Sequence, residues 1–198
     1  KSAKFTAETS FCIGQALAKV HKETEDFALN RITYDNEVLL IDSVKRTREF
    51  FTKETEETIF LEKMAHFLQQ EFNTVDKEQI RFGAVHLDVW FDNMHFNEGN
   101  KVTLFDFDFC GNGWLCLNEN DYKIKAASFL EGYETITKIS EEEKRLLPLG
   151  CLTIMTYYIS IQCDRYDYWT NIFLNEDHLK RFVGNLKRWI VYNEIEIE

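Results

Sequence analysis

Proline is almost absent from this chain, with Pro148 alone and only eight glycines in 198 residues. Without a Pro/Gly/Ser-rich tract, a repeat or a low-complexity run, nothing marks a linker, and the length suits one large or two small domains. No two cysteines stand in a C-x-x-C spacing. Cys12, Cys110, Cys116, Cys151 and Cys163 are an odd set, which suits free thiols in a reducing cytoplasm. No run approaches the ~18 apolar residues of a membrane span, so no membrane partner is expected. Positive charge is also scarce, with 23 Lys and Arg against 34 Asp and Glu for a net charge of -11. A general nucleic-acid binder needs a basic face to neutralise phosphates, and none is available here. Aromatics are plentiful instead, at 15%, within a 44% hydrophobic composition. A chain of this length buries roughly 70% of its unfolded surface and needs no staple. It opens on Lys1 rather than Met, so the lack of a leader carries no weight.

The outline is helices, a short β island, then more helices. Helical spacing of Ile13, Leu17, Val20 and His21 predicts a helix over 7–22. A second helical region covers 43–72 with a break near Thr52, its apolar face formed by Ile59, Met64, Phe67, Leu68 and Phe72. An apolar run over 80–87 leads into short strands at 94–96 and 101–105, joined by a turn at Gly99. Beyond Asp121 everything reads as helix. One covers 123–137, and Ser140 with Glu143 forms a capping box for the next. Pro148 should restart or kink that helix. The stretch 149–163 is apolar nearly all round and should be buried, and Asp177 caps a last helix with Leu179, Phe182, Leu186 and Ile190 inward.

The chemistry is concentrated in His86-Leu87-Asp88-Val89-Trp90-Phe91-Asp92-Asn93, an H-x-D-x-x-x-x-N pattern, and in Asp106-Phe107-Asp108. A hairpin pairing Phe96 with Lys101, and hence Met94 with Thr103, brings Asn93 beside Asp106. Paired strands lie ~4.8 Å apart, close enough for two side chains to share one ion. Phosphoryl transfer uses such a set: hard oxygen ligands for Mg²⁺ on the nucleotide phosphates, and a separate carboxylate to accept the proton of the attacking hydroxyl. This reading assigns Asp88 as base and Asn93 and Asp106 as metal ligands. Taken singly, Asp88 reads as a helix cap, Asn93 as a turn residue and Asp106 as a loop acid; it is their coincidence that points to catalysis. His86 holds the loop through backbone carbonyls or takes part in acid–base work. Asp108 supports a second metal or is merely solvated. His95 reads as structural, and Trp90, Trp114, Tyr157 and Tyr158 either wall an acceptor site or belong to the core.

These residues resemble the aminoglycoside phosphotransferase and choline kinase superfamily, in its homoserine-kinase-like form, within the protein-kinase-like fold. The family's H-G-D-x-x-x-x-N and I-D-F-D motifs match His86, Asp88, Asn93, Asp106 and Asp108. The segment from Ile13 to His21 is similar to a family helix ending L-A-x-L-H. Cys110-Gly111-Asn112-Gly113-Trp114 resembles C-G-Y-G-W, and Phe129-Leu130-Glu131-Gly132-Tyr133 resembles F-L-x-G-Y. The similarity runs from about Ser10 to Leu149. It implies an α+β, mainly helical C-terminal lobe with a small catalytic β-hairpin, ATP and Mg²⁺ as cofactors, and a small-molecule hydroxyl acceptor. The strand-rich N-terminal lobe that such a kinase also carries is not found in this sequence.

Three departures stand out. Leu87 replaces a usual Gly, and a D-L-A or D-I-A element is missing. The stretch between Trp114 and Phe129 is short by a helix, as though a piece were absent near 115–122. Two other functions share the residues. Asp106-Phe107-Asp108 after an apolar strand fits a haloacid-dehalogenase-like phosphatase, which would need alternating strands and helices downstream. A non-catalytic kinase-like scaffold is the other, although such scaffolds usually lose one of Asp88, Asn93 and Asp106, all intact here.

Overall fold

The computed structural model describes residues 6–97, 99, 101–118 and 125–197. The chain divides into two compact units, Lys1–Thr33 with Asp76–Gly150, and Tyr34–Val75 with Cys151–Glu198. The first carries His86, Asp88, Asn93, Asp106 and Asp108.

In the first unit, α1 (Ala7–Thr24) begins at Thr6, whose hydroxyl accepts from the Thr9 amide in a capping box. It packs against α4 (Ala126–Glu134), and the approach is close because both helices offer glycine at the crossing. A Cβ on Gly14 would lie 2.1 Å from the Phe129 carbonyl oxygen, and one on Gly132 would lie 2.0 Å from that of Phe11. Ile13, Leu17 and Ala18 meet Phe129, Tyr133, Ile139, Val89 and Met94 in one buried cluster. Val89 and Met94 bracket the stretch from Trp90 to Asn93, so this core anchors that loop at both ends.

Two antiparallel pairs make up the described strands. Strand β1 (Phe82–Val85) pairs with β4 (Gly111–Trp114), and β2 (Met94–Phe96) pairs with β3 (Val102–Leu104). The hairpin register differs by one from the expected pairing, with Met94 opposite Leu104 and Phe96 opposite Val102. Asn97 donates to the Lys101 carbonyl at 3.1 Å, closing a tighter turn around Gly99, whose φ is 84°. Strand β4 has no alternating or β-branched pattern that would mark it in the sequence. Its partner lies about thirty residues upstream, a distance that hydropathy periodicity does not report.

Helix α5 (Glu141–Asp164) opens with the expected capping box. Ser140 Oγ accepts from the Glu143 amide at 2.9 Å, and Glu143 accepts from the Ser140 amide at 3.0 Å. Buried Glu143 also takes a two-pronged ion pair from Arg81, at 2.9 Å on each oxygen. Pro148 does not restart the helix, which continues through it as α-helix; one lost hydrogen bond is outweighed by the burial of the turns that follow. No residue from Leu149 to Cys163 is exposed. By length and composition α5 could cross a membrane, unlike any run foreseen from the sequence, and 67% of its apolar window is buried in the fold. The predicted helix over 123–137 is observed over Ala126–Glu134. The suspected gap near 115–122 falls largely on residues 119–124, outside the described residues.

The second unit contains α2 (Asp42–Phe50), entered through a wide helical turn at Glu37–Ile41, and α3 (Glu56–Asn73). It also holds the remainder of α5 and α6 (Glu176–Tyr192). The break expected near Thr52 lies between α2 and α3. The buried ridge of α3 is Thr58, Leu61, Met64, Ala65, Leu68 and Phe72, while Ile59 is exposed. Asn175, not Asp177, caps α6, accepting from the His178 amide at 3.0 Å. Leu179, Val183 and Leu186 are its buried residues, and Phe182 and Ile190 are half-buried. The antiparallel strands and helical C-terminal half exclude the alternating architecture of the phosphatase reading.

Candidate functional site

Strand β1 delivers the chain to His86, which is buried. Its Nδ1 receives the Asp88 amide at 3.3 Å, and its Nε2 lies 3.2 Å from the Phe105 carbonyl oxygen. A backbone N–H can only donate, so Nδ1 is the acceptor and Nε2 carries the proton toward Phe105. Burial pushes the pKa of His86 down, against the opposing pull of the Phe105 carbonyl and of the Asp88 and Asp106 charges. The ring is therefore a neutral tie between the Asp88 loop and the start of the Asp106 loop, and it lies tilted against the Phe107 ring with centroids 4.6 Å apart.

Leu87 follows with φ 55°, in the left-handed region, and is buried. That conformation explains why glycine is usual here in the resembling kinases. It turns the chain so that Asp88 is half-buried and Val89 enters the core, while Trp90 is half exposed.

A short helical turn at Phe91–Asn93 then brings Asn93 back onto Asp88. The Asn93 amide nitrogen donates to the Asp88 carboxylate at 2.6 Å and to the Asp88 carbonyl at 3.1 Å. Asn93 is 6% exposed. With Nδ2 engaged by Asp88, its amide oxygen is the atom that can serve a cation.

Across the hairpin, the Phe105 amide donates to the Asn93 carbonyl at 3.1 Å, so Asp106 is next in chain to Asn93's partner. Asp106 adopts φ 63° and is exposed, as is Asp108. Among the described residues no group of three or more His, Cys, Asp or Glu forms a metal cluster. An amide oxygen and a carboxylate, completed by phosphate and water, match the hard-oxygen shell of Mg²⁺ without one.

Several other sequence candidates lie apart from this loop. His95 is exposed on β2, Trp114 is half-buried in β4, and Tyr157 is core, packed edge-on to Tyr34 at 5.6 Å. The 420 Å³ cavity lined by Phe51, Lys53, Glu56, Glu176 and Lys180 belongs to the second unit and contains none of the site residues. Sequence reasoning missed Arg31 and Asn112. The Arg31 guanidinium donates to the carbonyls of Phe107 and Asp108, and the buried Asn112 side chain binds the backbone of 29–32. Only the C-G-N-G-W motif offered a signal for either.

A family model described as the phosphotransferase enzyme family matches residues 11–117, more than half of the chain. The homoserine kinase of Chelativorans sp. strain BNC1 is 28% identical over 153 residues, covering 69% of this chain and 46% of that one. The chain thus spans about half the length of the curated relatives it matches. Among solved structures, a microcompartment-associated aminopropanol kinase superposes with a TM-score of 0.71 at 15% identity, covering 98% of this chain and 66% of that one. The amicoumacin kinase hAmiN, solved with AMP-PNP, Ca²⁺ and Ami, gives 0.66 at 17% identity, covering 93% and 60%. These likenesses establish a kinase-like phosphotransferase fold.

Proposed function

This chain belongs to the phosphotransferase enzyme family, and on that premise we propose that it carries the catalytic residues of an ATP-dependent kinase acting on a small hydroxyl compound. The observation that supports this best is the 2.6 Å hydrogen bond from Asn93 to Asp88. It fixes a half-buried carboxylate and, by engaging the Asn93 nitrogen, leaves the Asn93 amide oxygen as the atom that can serve a cation. Asp88 is the base, accepting the proton of the acceptor hydroxyl as that oxygen bonds to the γ-phosphorus of ATP and the bond from this phosphorus to the β-phosphate oxygen breaks, with ADP leaving. Asn93 and Asp106 hold Mg²⁺ against the nucleotide, and Asp108 stands by as a further carboxylate. When bound, Mg²⁺ supplies charge neutralisation at the β- and γ-phosphates. His86 positions both loops, since both its ring nitrogens face backbone groups. The nucleotide analogue and divalent ion in the amicoumacin kinase structure favour this cofactor pair. Five free thiols fit a cytoplasmic setting.

The test is ADP release by the full-length protein with ATP and Mg²⁺ against hydroxyl compounds, with homoserine and aminopropanol included because of the relatives' names. Acceptor-dependent release that disappears in Asp88→Ala supports the reading. Release with no acceptor dependence, or none at all, overturns it in favour of a scaffold.

A further inference from the structure

The carboxylates of Asp106 and Asp108 accept no hydrogen bond among the described residues, so their positions depend on how the backbone beneath them is held. His86 holds one side through Phe105. The other side is held by a residue far away in sequence. The Arg31 guanidinium donates to the Phe107 carbonyl at 3.2 Å and to the Asp108 carbonyl at 2.5 Å. Two successive carbonyls suit the rigid fork of a guanidinium better than any single ammonium. The contact is to carbonyls and not to carboxylates, so Arg31 holds the loop without engaging either carboxylate group.

Arg31 is exposed and would not stay in place alone. Its segment is gathered by Asn112, which is 5% exposed in β4. The Asn112 Oδ1 accepts from the Leu29 amide at 2.7 Å, and Nδ2 is shared among the carbonyls of Leu29, Arg31 and Ile32 at 3.1, 3.2 and 3.4 Å. The Asn112 amide adds a bond to the Ile32 carbonyl at 2.9 Å, and Thr33 bridges alongside. A buried amide satisfied in this way is costly to disrupt and holds one geometry.

We propose that Leu29–Thr33 is a strap, secured by Asn112, through which Arg31 acts as a positioning residue for the acidic loop 106–108. The inference rests on the kinase reading for its catalytic consequence, but not for the strap itself. A displacement of one ångström at a reacting centre can cost about a hundredfold in rate, so release of the loop should lower turnover without altering acceptor recognition.

The experiment compares wild type, Arg31→Met, Arg31→Lys and Asn112→Asp in the full-length protein. Amide hydrogen exchange is read over 105–110 and over β1 as an internal control. Arg31→Met should speed exchange of the Cys110 amide, bonded to Phe107 at 3.0 Å, by about tenfold or more while β1 is unchanged. Its kcat should fall roughly tenfold, with a higher Mg²⁺ requirement and an unchanged acceptor KM. Arg31→Lys should recover part of both effects, and Asn112→Asp should reproduce them by turning a carboxylate toward three carbonyls. Unchanged exchange over 105–110 in Arg31→Met overturns the strap, as does an equal rise in β1. Should Asn112→Asp fail to fold, the surface position of Arg31 still decides the matter. If the wild type transfers phosphate to no acceptor, the kinase reading falls while the exchange comparison continues to test the strap.

Discussion

The side-chain amide of Asn93 donates to the carboxylate of Asp88 across 2.6 Å, and the same nitrogen reaches the Asp88 carbonyl. Two residues five apart in sequence are thus one unit, with the acid oriented by the amide and the amide oriented by the acid.

That coupling predicts non-additive kinetics. Asp88→Ala should lower kcat by roughly 10²–10⁴ through loss of the base. Asn93→Ala should also be severe, because it removes a bond that orients Asp88 as well as an amide oxygen. In the double variant the losses should not multiply, since residues in contact couple. Fully multiplicative losses in steady-state kinetics would show that the two act independently.

Asp106 and Asp108 should separate by nucleotide binding. Asp106→Ala should weaken ATP binding in the presence of Mg²⁺ and have little effect in its absence, with Asp108→Ala milder. Calorimetric titration with and without the metal measures this, and equal weakening in both conditions would remove Asp106 from the metal site.

Leu87 allows an unusual ordering of variants. At φ 55° a residue with a Cβ carries strain of about 1 kcal/mol that glycine does not. Leu87→Gly and Leu87→Ala both lose a buried side chain, a cost of about 2–5 kcal/mol for leucine to alanine. Only glycine regains the strain, so urea denaturation should find Leu87→Gly more stable than Leu87→Ala by about 1 kcal/mol. The opposite order would contradict the left-handed turn.

His21 gives a pH signature. It is buried, bonded through Nδ1 to the Tyr133 hydroxyl at 2.7 Å, and its pKa is lowered to about 3 by burial and by the Arg81 charge. The unfolded chain protonates this imidazole near pH 6.5 and the folded chain resists. Stability is therefore complete above pH 6.5 and falls as pH drops toward 3, by about 2 kcal/mol between pH 7 and 5. His21→Gln can keep a bond to Tyr133 and should show a shallower loss over that range in chemical denaturation. Identical slopes for the two proteins would mean that His21 is not held neutral.

Much of the fold was legible because its signals are local. The Ser140 cap and the helical spacing of Ile13 and Leu17 depend on residues within two turns of each other. So does the Asp88–Asn93 pair, which explains why the two residues stand out together in an eight-residue pattern. Near misses arose where neighbouring choices are almost equivalent locally. The hairpin can close at Asn97 or at Phe96, and α6 offers Asn175 and Asp177 as caps two residues apart.

Only the tertiary structure decided the features joined across long stretches of chain. The pairing of β1 with β4, the exposure of Ile59 on α3, and the passage of α5 through Pro148 depend on which neighbours bury which face. The left-handed turn at Leu87 belongs to a residue type that seldom adopts it and persists where surrounding contacts over-determine the backbone. The grip of Arg31 on the Phe107 and Asp108 carbonyls spans more than seventy residues. It joins a side chain to backbone oxygens that every residue possesses, so no motif could announce it. By itself the sequence singled out the candidate residues His86, Asp88, Asn93, Asp106 and Asp108 and outlined the helices around them; folding determined where the acids are held and what holds them, because that depends on non-local backbone contacts with no periodicity to read.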